Sequence, residues 1–116
     1  MNNSRNYSPY FPEELSNDLN FNVELPTLLY IFGFNEHLEA DNTKTIVDSY
    51  LIRNDHNIFI LDWSTYNQKN YVINAAPHAI SIGIFMGKML INWFLGKGVF
   101  SIEKFHLMGH SLGIIV

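Results

Sequence analysis

Gly109-His110-Ser111-Leu112-Gly113 sets a serine hydroxyl between two glycines, each two residues away. A Gly-x-Ser-x-Gly pattern makes the serine a nucleophile when it sits on a sharp turn from a strand into a helix. The glycines let that turn close, because side chains at those positions would crowd it. A serine at a helix N-terminus also has backbone N–H groups and the positive dipole end beside the oxygen charge that develops in acyl transfer. The N–H of Leu112, the residue after the serine, is the expected first oxyanion donor. The second comes from the loop after an earlier strand. Ile31-Phe32-Gly33-Phe34-Asn35 has the form of that loop and nominates the N–H of Phe34. The pattern also occurs at ordinary glycine-flanked helix starts. The apolar strand before it and the apolar segment after it favour the nucleophile.

Those groups need a sheet to position them. Residues 27–32 form a near-continuous apolar run between Pro26 and Gly33, as a strand buried on both faces does. Residues 57–61 and 105–108 repeat the pattern. Between the first two, Ile46, Val47, Tyr50 and Leu51 recur three and four apart and mark one face of an amphipathic helix, with Asp41 or Asn42 as its N-cap. The longest periodic segment, 74–95, has Pro77 in its first turn, where no helical hydrogen bond is lost. It is apolar nearly all round but carries Lys88 and Asn92, so it reads as a buried crossover helix and not a transmembrane segment. Gly83 and Gly87 offer a smooth strip for close helix packing. Strands alternating with helices predict an α/β fold with a mostly parallel sheet, whose ligands bind beyond the carboxyl ends of the strands. Residues 1–24 read as an irregular N-terminal arm covering a sheet edge, with a short strand at 21–23. Residues 25–116 hold the α/β part.

The chain has 116 residues, room for one core. Its 7 Lys+Arg against 11 Asp+Glu give a net charge of −4 with no basic cluster, which argues against nucleic acid as a partner. With no cysteine, a disulfide framework, a thiolate zinc site and a cysteine nucleophile are all excluded. His106 and His110 lie on a strand, where four residues span about 13 Å, so they form no metal site. No cofactor is indicated. His37, His56 and His78 read as solvated or core-satisfied histidines, and His110, which points away from adjacent Ser111 on a tight elbow, as a packing residue or a support behind the site. Asp62 reads as an acceptor that ties down the loop around Trp63 and Ser64.

Three ordered segments, Leu25-Pro26-Thr27-Leu28-Leu29-Tyr30-Ile31-Phe32-Gly33-Phe34, Ile58-Phe59-Ile60-Leu61-Asp62-Trp63-Ser64 and Phe105-His106-Leu107-Met108-Gly109-His110-Ser111-Leu112-Gly113, together resemble the pancreatic-lipase family of α/β-hydrolases. The likeness is strongest to its insect branch, which includes phospholipases A1. The resemblance implies the N-terminal part of a lipase domain, ending just after the nucleophile elbow. It implies hydrolysis of lipid carboxylesters, triglyceride or phospholipid, at a lipid–water interface, with Ser111 as nucleophile and Phe34 and Leu112 as oxyanion donors. It also implies an extracellular location, although no signal peptide is visible at the N-terminus. Phe32 stands where the family usually has histidine, and Ile114-Ile115 where it usually continues Ala-His. The acid and base of such hydrolases follow the serine along the chain. The 116 residues are therefore expected to be inactive alone and, with one face of the central strands left uncovered, aggregation-prone. The alternative is a non-catalytic, lipase-like protein that binds lipid or a partner.

Overall fold

Thr27–Ile31 forms strand β1, and all five of its residues are buried in the computed structural model. The structure describes residues 6, 7, 14, 17, 18, 21, 22, 24–33, 36–64, 76–93, 102–110, 113 and 116. Helix α1 (Asp41–Arg53) follows, then β2 (Asn57–Leu61), helix α2 (Ala76–Ile91), a single 3-10 turn (Ile102–Lys104) and β3 (Phe105–Gly109). The sheet order is β2-β1-β3, with both pairings parallel. Thr27 lies opposite Asn57 and Phe105, and Ile31 opposite Leu61 and Gly109, so the three strands end level. The chain steps from β1 to one neighbour and then crosses back to the other. Right-handed crossovers of opposite sense put their helices on opposite faces.

The expectation that all three strands are buried on both faces holds only for β1. β2 is partly buried beyond Asn57, and His106 and Leu107 of β3 are exposed, Leu107 by 60%. The apolar runs look alike in sequence, but β2 and β3 flank β1. Burial on α1 is also rotated from the expected face. Thr43 and Val47 are buried, Ile46 and Tyr50 are partly buried, and Leu51 is half exposed. The helix begins after Ala40, whose extended backbone forms the N-cap without a side-chain bond; Asp41 is its first residue and not its cap. Asn42 is drawn away to donate to Glu36 Oε2 at 3.2 Å. At the other end Asn54 takes the left-handed conformation (φ 55°), and its N–H donates to the Tyr50 carbonyl at 3.0 Å.

Helix α2 is not buried all round. Ala79 and Met86 enter the core with Leu29, Tyr30, Ile31, Phe32 and Trp63, while Ile80, Ile84 and Ile91 face outward. The glycine strip is half realised. A Cβ on Gly83 would sit 2.4 Å from the Val116 carbonyl oxygen, whereas one on Gly87 would meet nothing within 4 Å. No helix among the described residues is long and apolar enough to cross a membrane.

Phe21 lies in a turn and not in a strand. Its N–H donates to the Asp18 carbonyl at 3.0 Å, and its ring stacks on Phe59 of β2 at 6.2 Å. Buried Asn57 joins this arm to the sheet. Its Oδ1 accepts the Asn22 N–H and its Nδ2 donates to the Asn22 carbonyl, both at 2.8 Å. The reciprocal pair substitutes for a ladder bond.

Phe32, expected within the first strand, lies just past its end. It is wholly buried and stacks on Trp63 at 6.3 Å, and its carbonyl accepts the indole N–H of Trp63 at 3.0 Å. Phe32 and Trp63 thus link the chain past β1 to the chain past β2. Trp63→Phe keeps the ring contact but leaves that buried carbonyl without this donor. A loss of about 1–3 kcal/mol is expected in chemical denaturation, with the fold retained.

Candidate functional site

Gly33, Ser64 and His110 all lie just beyond the level carboxyl ends of β1, β2 and β3, on the side of the sheet where parallel α/β folds bind ligands. Strand order reverses about β1: its own crossover leads to β2, while β3 lies on the other side. The β1–β3 crevice is therefore the place to look for a site.

The Ile31 carbonyl accepts the backbone N–H of His110 at 3.1 Å, extending the β1–β3 pairing past Gly109. Gly113 then closes a turn, its N–H donating to the His110 carbonyl at 2.9 Å. A Cβ on Gly113 would lie 2.2 Å from the Ile31 carbonyl oxygen and 2.7 Å from that of Phe32. Only a residue without a side chain can rest there, which gives the motif's second glycine a physical reason. Ser111, Leu112, Ile114 and Ile115 lie outside the described residues, as do Phe34 and Asn35 in the facing loop.

On the β1 side, Glu36 shapes the loop. Its N–H donates to the Gly33 carbonyl at 3.2 Å, and its Oε1 accepts the Gly33 N–H at 2.8 Å. The same Oε1 lies 3.0 Å from His110 Nδ1 across the crevice. An ionised carboxylate can only accept, so Nδ1 carries the proton and donates. Burial pushes the Glu36 carboxyl up, but the hydrogen bonds from His110, Gly33 and Asn42, with the attraction of His110, outweigh it and hold the group below its ordinary value. Burial, and then the charge of Glu36, raises the Tyr30 hydroxyl above its ordinary value. Tyr30, Ile46, Met108 and His110 line a shallow pocket of about 230 Å³ on this flank.

Sequence reasoning missed Glu36. Only its place three residues after a loop glycine could have marked it. Of the two expectations for His110, packing or support behind the site, the contact fits the second, since its imidazole reaches the other loop. Asp62 fills the expected structural role: its Oδ1 accepts the Ser64 N–H at 3.2 Å and the Ser64 hydroxyl at 2.7 Å. His56 is bonded to Asp55 at 2.8 Å and lies edge-on to both Tyr50 and His106, and His37 Nδ1 accepts the Glu39 N–H at 3.2 Å. His78 is exposed near the start of α2. No three potential metal-ligating side chains cluster among the described residues.

A parallel three-stranded α/β sheet with glycine-bearing turns side by side beyond β1 and β3 is compatible with part of an α/β-hydrolase domain. The sequence pattern of the family described as Lipase matches residues 2–116, and the chain belongs to that family. Comparison with curated proteins and with solved structures gives no significant match.

Two outcomes follow from this geometry. Gly113→Ala forces apart two backbone carbonyls and the turn, and is expected to cost about 3 kcal/mol, the upper range for over-packing, as a lowered denaturation midpoint. Glu36 has a depressed folded-state pKa, so its stabilisation is complete above the ordinary glutamate value and fades as pH falls through the folded value. The stability difference between the native chain and Glu36→Gln, from urea titrations, should therefore shrink as pH falls below the ordinary glutamate value of about 4.3.

Proposed function

We propose that this chain carries the nucleophile and oxyanion donors of a serine carboxylester hydrolase acting on lipids. In this reading Ser111 Oγ attacks the ester carbonyl and passes its proton to a base, and the N–H groups of Phe34 and Leu112 hold the oxyanion. The carbonyl then re-forms as the alcohol leaves, giving an acyl-serine that water hydrolyses. One observation carries most of the weight in support. The register puts Gly109 opposite Ile31, so the turns that flank Ser111 and Phe34 in sequence leave the sheet as neighbours at one level. Membership of the lipase family supports the lipid ester as substrate class.

The finer assignment is a triglyceride lipase or a phospholipase A1 of the insect type, secreted and working at a lipid–water interface, with residues 1–24 as an arm and 25–116 as part of the catalytic domain. Its support is the set of three ordered segments described above. His110 does not serve as the base in this scheme, because the side chains of adjacent residues on a tight elbow project apart and the base of such hydrolases comes later in the chain than the serine. A second reading, a lipase-like protein that binds lipid without turnover, draws on Phe32. That residue stands at the family's histidine position and is buried against Trp63, so its side chain gives the loop no polar group.

The test is fluorophosphonate labelling of the complete gene product. The proposal expects a single adduct mapped by mass spectrometry to Ser111, and Ser111→Ala should lower ester turnover by about 10⁶. Labelling elsewhere, or turnover that survives Ser111→Ala, overturns it. Lipid binding with no labelling supports the second reading.

A further inference from the structure

The Glu36 carboxylate joins three separate pieces of the chain beside the β1–β3 crevice. Oε1 accepts the Gly33 N–H at 2.8 Å and faces His110 Nδ1 at 3.0 Å, and Oε2 accepts Asn42 Nδ2 at 3.2 Å. Gly33 immediately precedes Phe34, His110 immediately precedes Ser111, and Asn42 lies in the first turn of α1. The carboxylate side chain is only 13% exposed, although the imidazole it holds is half exposed. We infer that Glu36 is a positioning residue for acyl transfer, bracing the loop that bears Phe34 against the turn that bears Ser111 through His110.

The inference rests on the reading of Ser111 as nucleophile and of Phe34 and Leu112 as oxyanion donors. Oxyanion stabilisation depends on donors held in place before charge develops. The two donors come from turns 78 positions apart in the chain (residues 34 and 112), so their spacing is not set by local backbone geometry. The sheet fixes the turns at their bases through the His110 N–H to Ile31 carbonyl bond. Further out, the Glu36 to His110 contact ties one turn to the other. The Glu36 N–H to Gly33 carbonyl bond and the return bond from Gly33 N–H to Oε1 close both flanks of residues 34 and 35. A misplaced donor weakens binding of the transition state and leaves ground-state binding of the lipid unchanged, so the effect belongs in kcat and not in KM.

The experiment compares Glu36→Ala, Glu36→Gln, His110→Ala and Ser111→Ala in the complete gene product, with kcat expressed per site titrated by fluorophosphonate for the proteins that keep Ser111 and per mole of folded protein for Ser111→Ala. Glu36→Ala is expected to lower kcat about 10²-fold, near the loss of one oxyanion donor, with KM unchanged. Glu36→Gln keeps an acceptor for the Gly33 N–H and should recover about tenfold of that loss. His110→Ala should fall between the two, and the Glu36→Ala/His110→Ala pair should lose less than the product of the single losses. The Gly33 amide proton, followed by NMR, should move upfield in Glu36→Ala as its charge-assisted bond is removed. If Ser111→Ala is inactive while folded Glu36→Ala keeps kcat within about twofold, or loses only KM, the inference is overturned and the hydrolase reading stands. If Glu36→Ala does not fold, Glu36→Gln and His110→Ala decide by the same measure. Turnover that survives Ser111→Ala overturns the hydrolase reading and this inference with it, even if the Gly33 amide shift appears.

Discussion

Two backbone carbonyls at the end of β1, those of Ile31 and Phe32, organise the carboxyl end of the sheet. A buried backbone acceptor must find a donor, and strand pairing supplies one for Ile31 but not for Phe32, which lies past the end of the strand. Ile31 takes the His110 N–H and Phe32 takes the indole N–H of Trp63. The first bond brings the turn after β3 to the strand, and the second brings the chain after β2. Gly113 rests against both oxygens. A residue with a side chain there would disturb both acceptors together.

This arrangement gives Phe32 a role that its polarity alone does not suggest. At the position where the resembled family usually has histidine, a fully buried phenylalanine stacks on Trp63, and the loop's side-chain hydrogen bond comes from Glu36. The hydrogen bonds from three donors hold the carboxyl below its ordinary value despite its burial, and its charge adds to the burial that raises the Tyr30 hydroxyl. Apolar packing below the strand ends and a small polar network above them meet at the carbonyl of residue 32. Asn57 does related work at the opposite end, where its amide satisfies both backbone groups of Asn22.

Much of the frame was legible from residue patterns. The strand at 57–61 is found where expected, the strands at 27–32 and 105–108 shift by one residue at their ends, and α1 spans the periodic positions Ile46 to Leu51. Continuous apolar runs and 3.6-residue periodicity record local backbone preference, so they locate elements well. They record neighbours poorly. Leu107 and Leu29 belong to similar runs, yet Leu107 is exposed and Leu29 is buried, because β1 has a strand on each side and β3 flanks it. Gly83 and Gly87 look equivalent on a helix, but only Gly83 faces another piece of backbone.

By itself the sequence determined the alternation of strands and helices, the two glycine-bearing turns and the exclusion of cysteine chemistry, since each of these is written in adjacent residues. Only the tertiary structure decided which strand is central, which carbonyls lie beneath Gly113, and that Glu36 meets His110 74 positions away. A carboxylate's partner is set by the register of two strands and by the donors left over at their ends. Neither can be read until the sheet has been assembled.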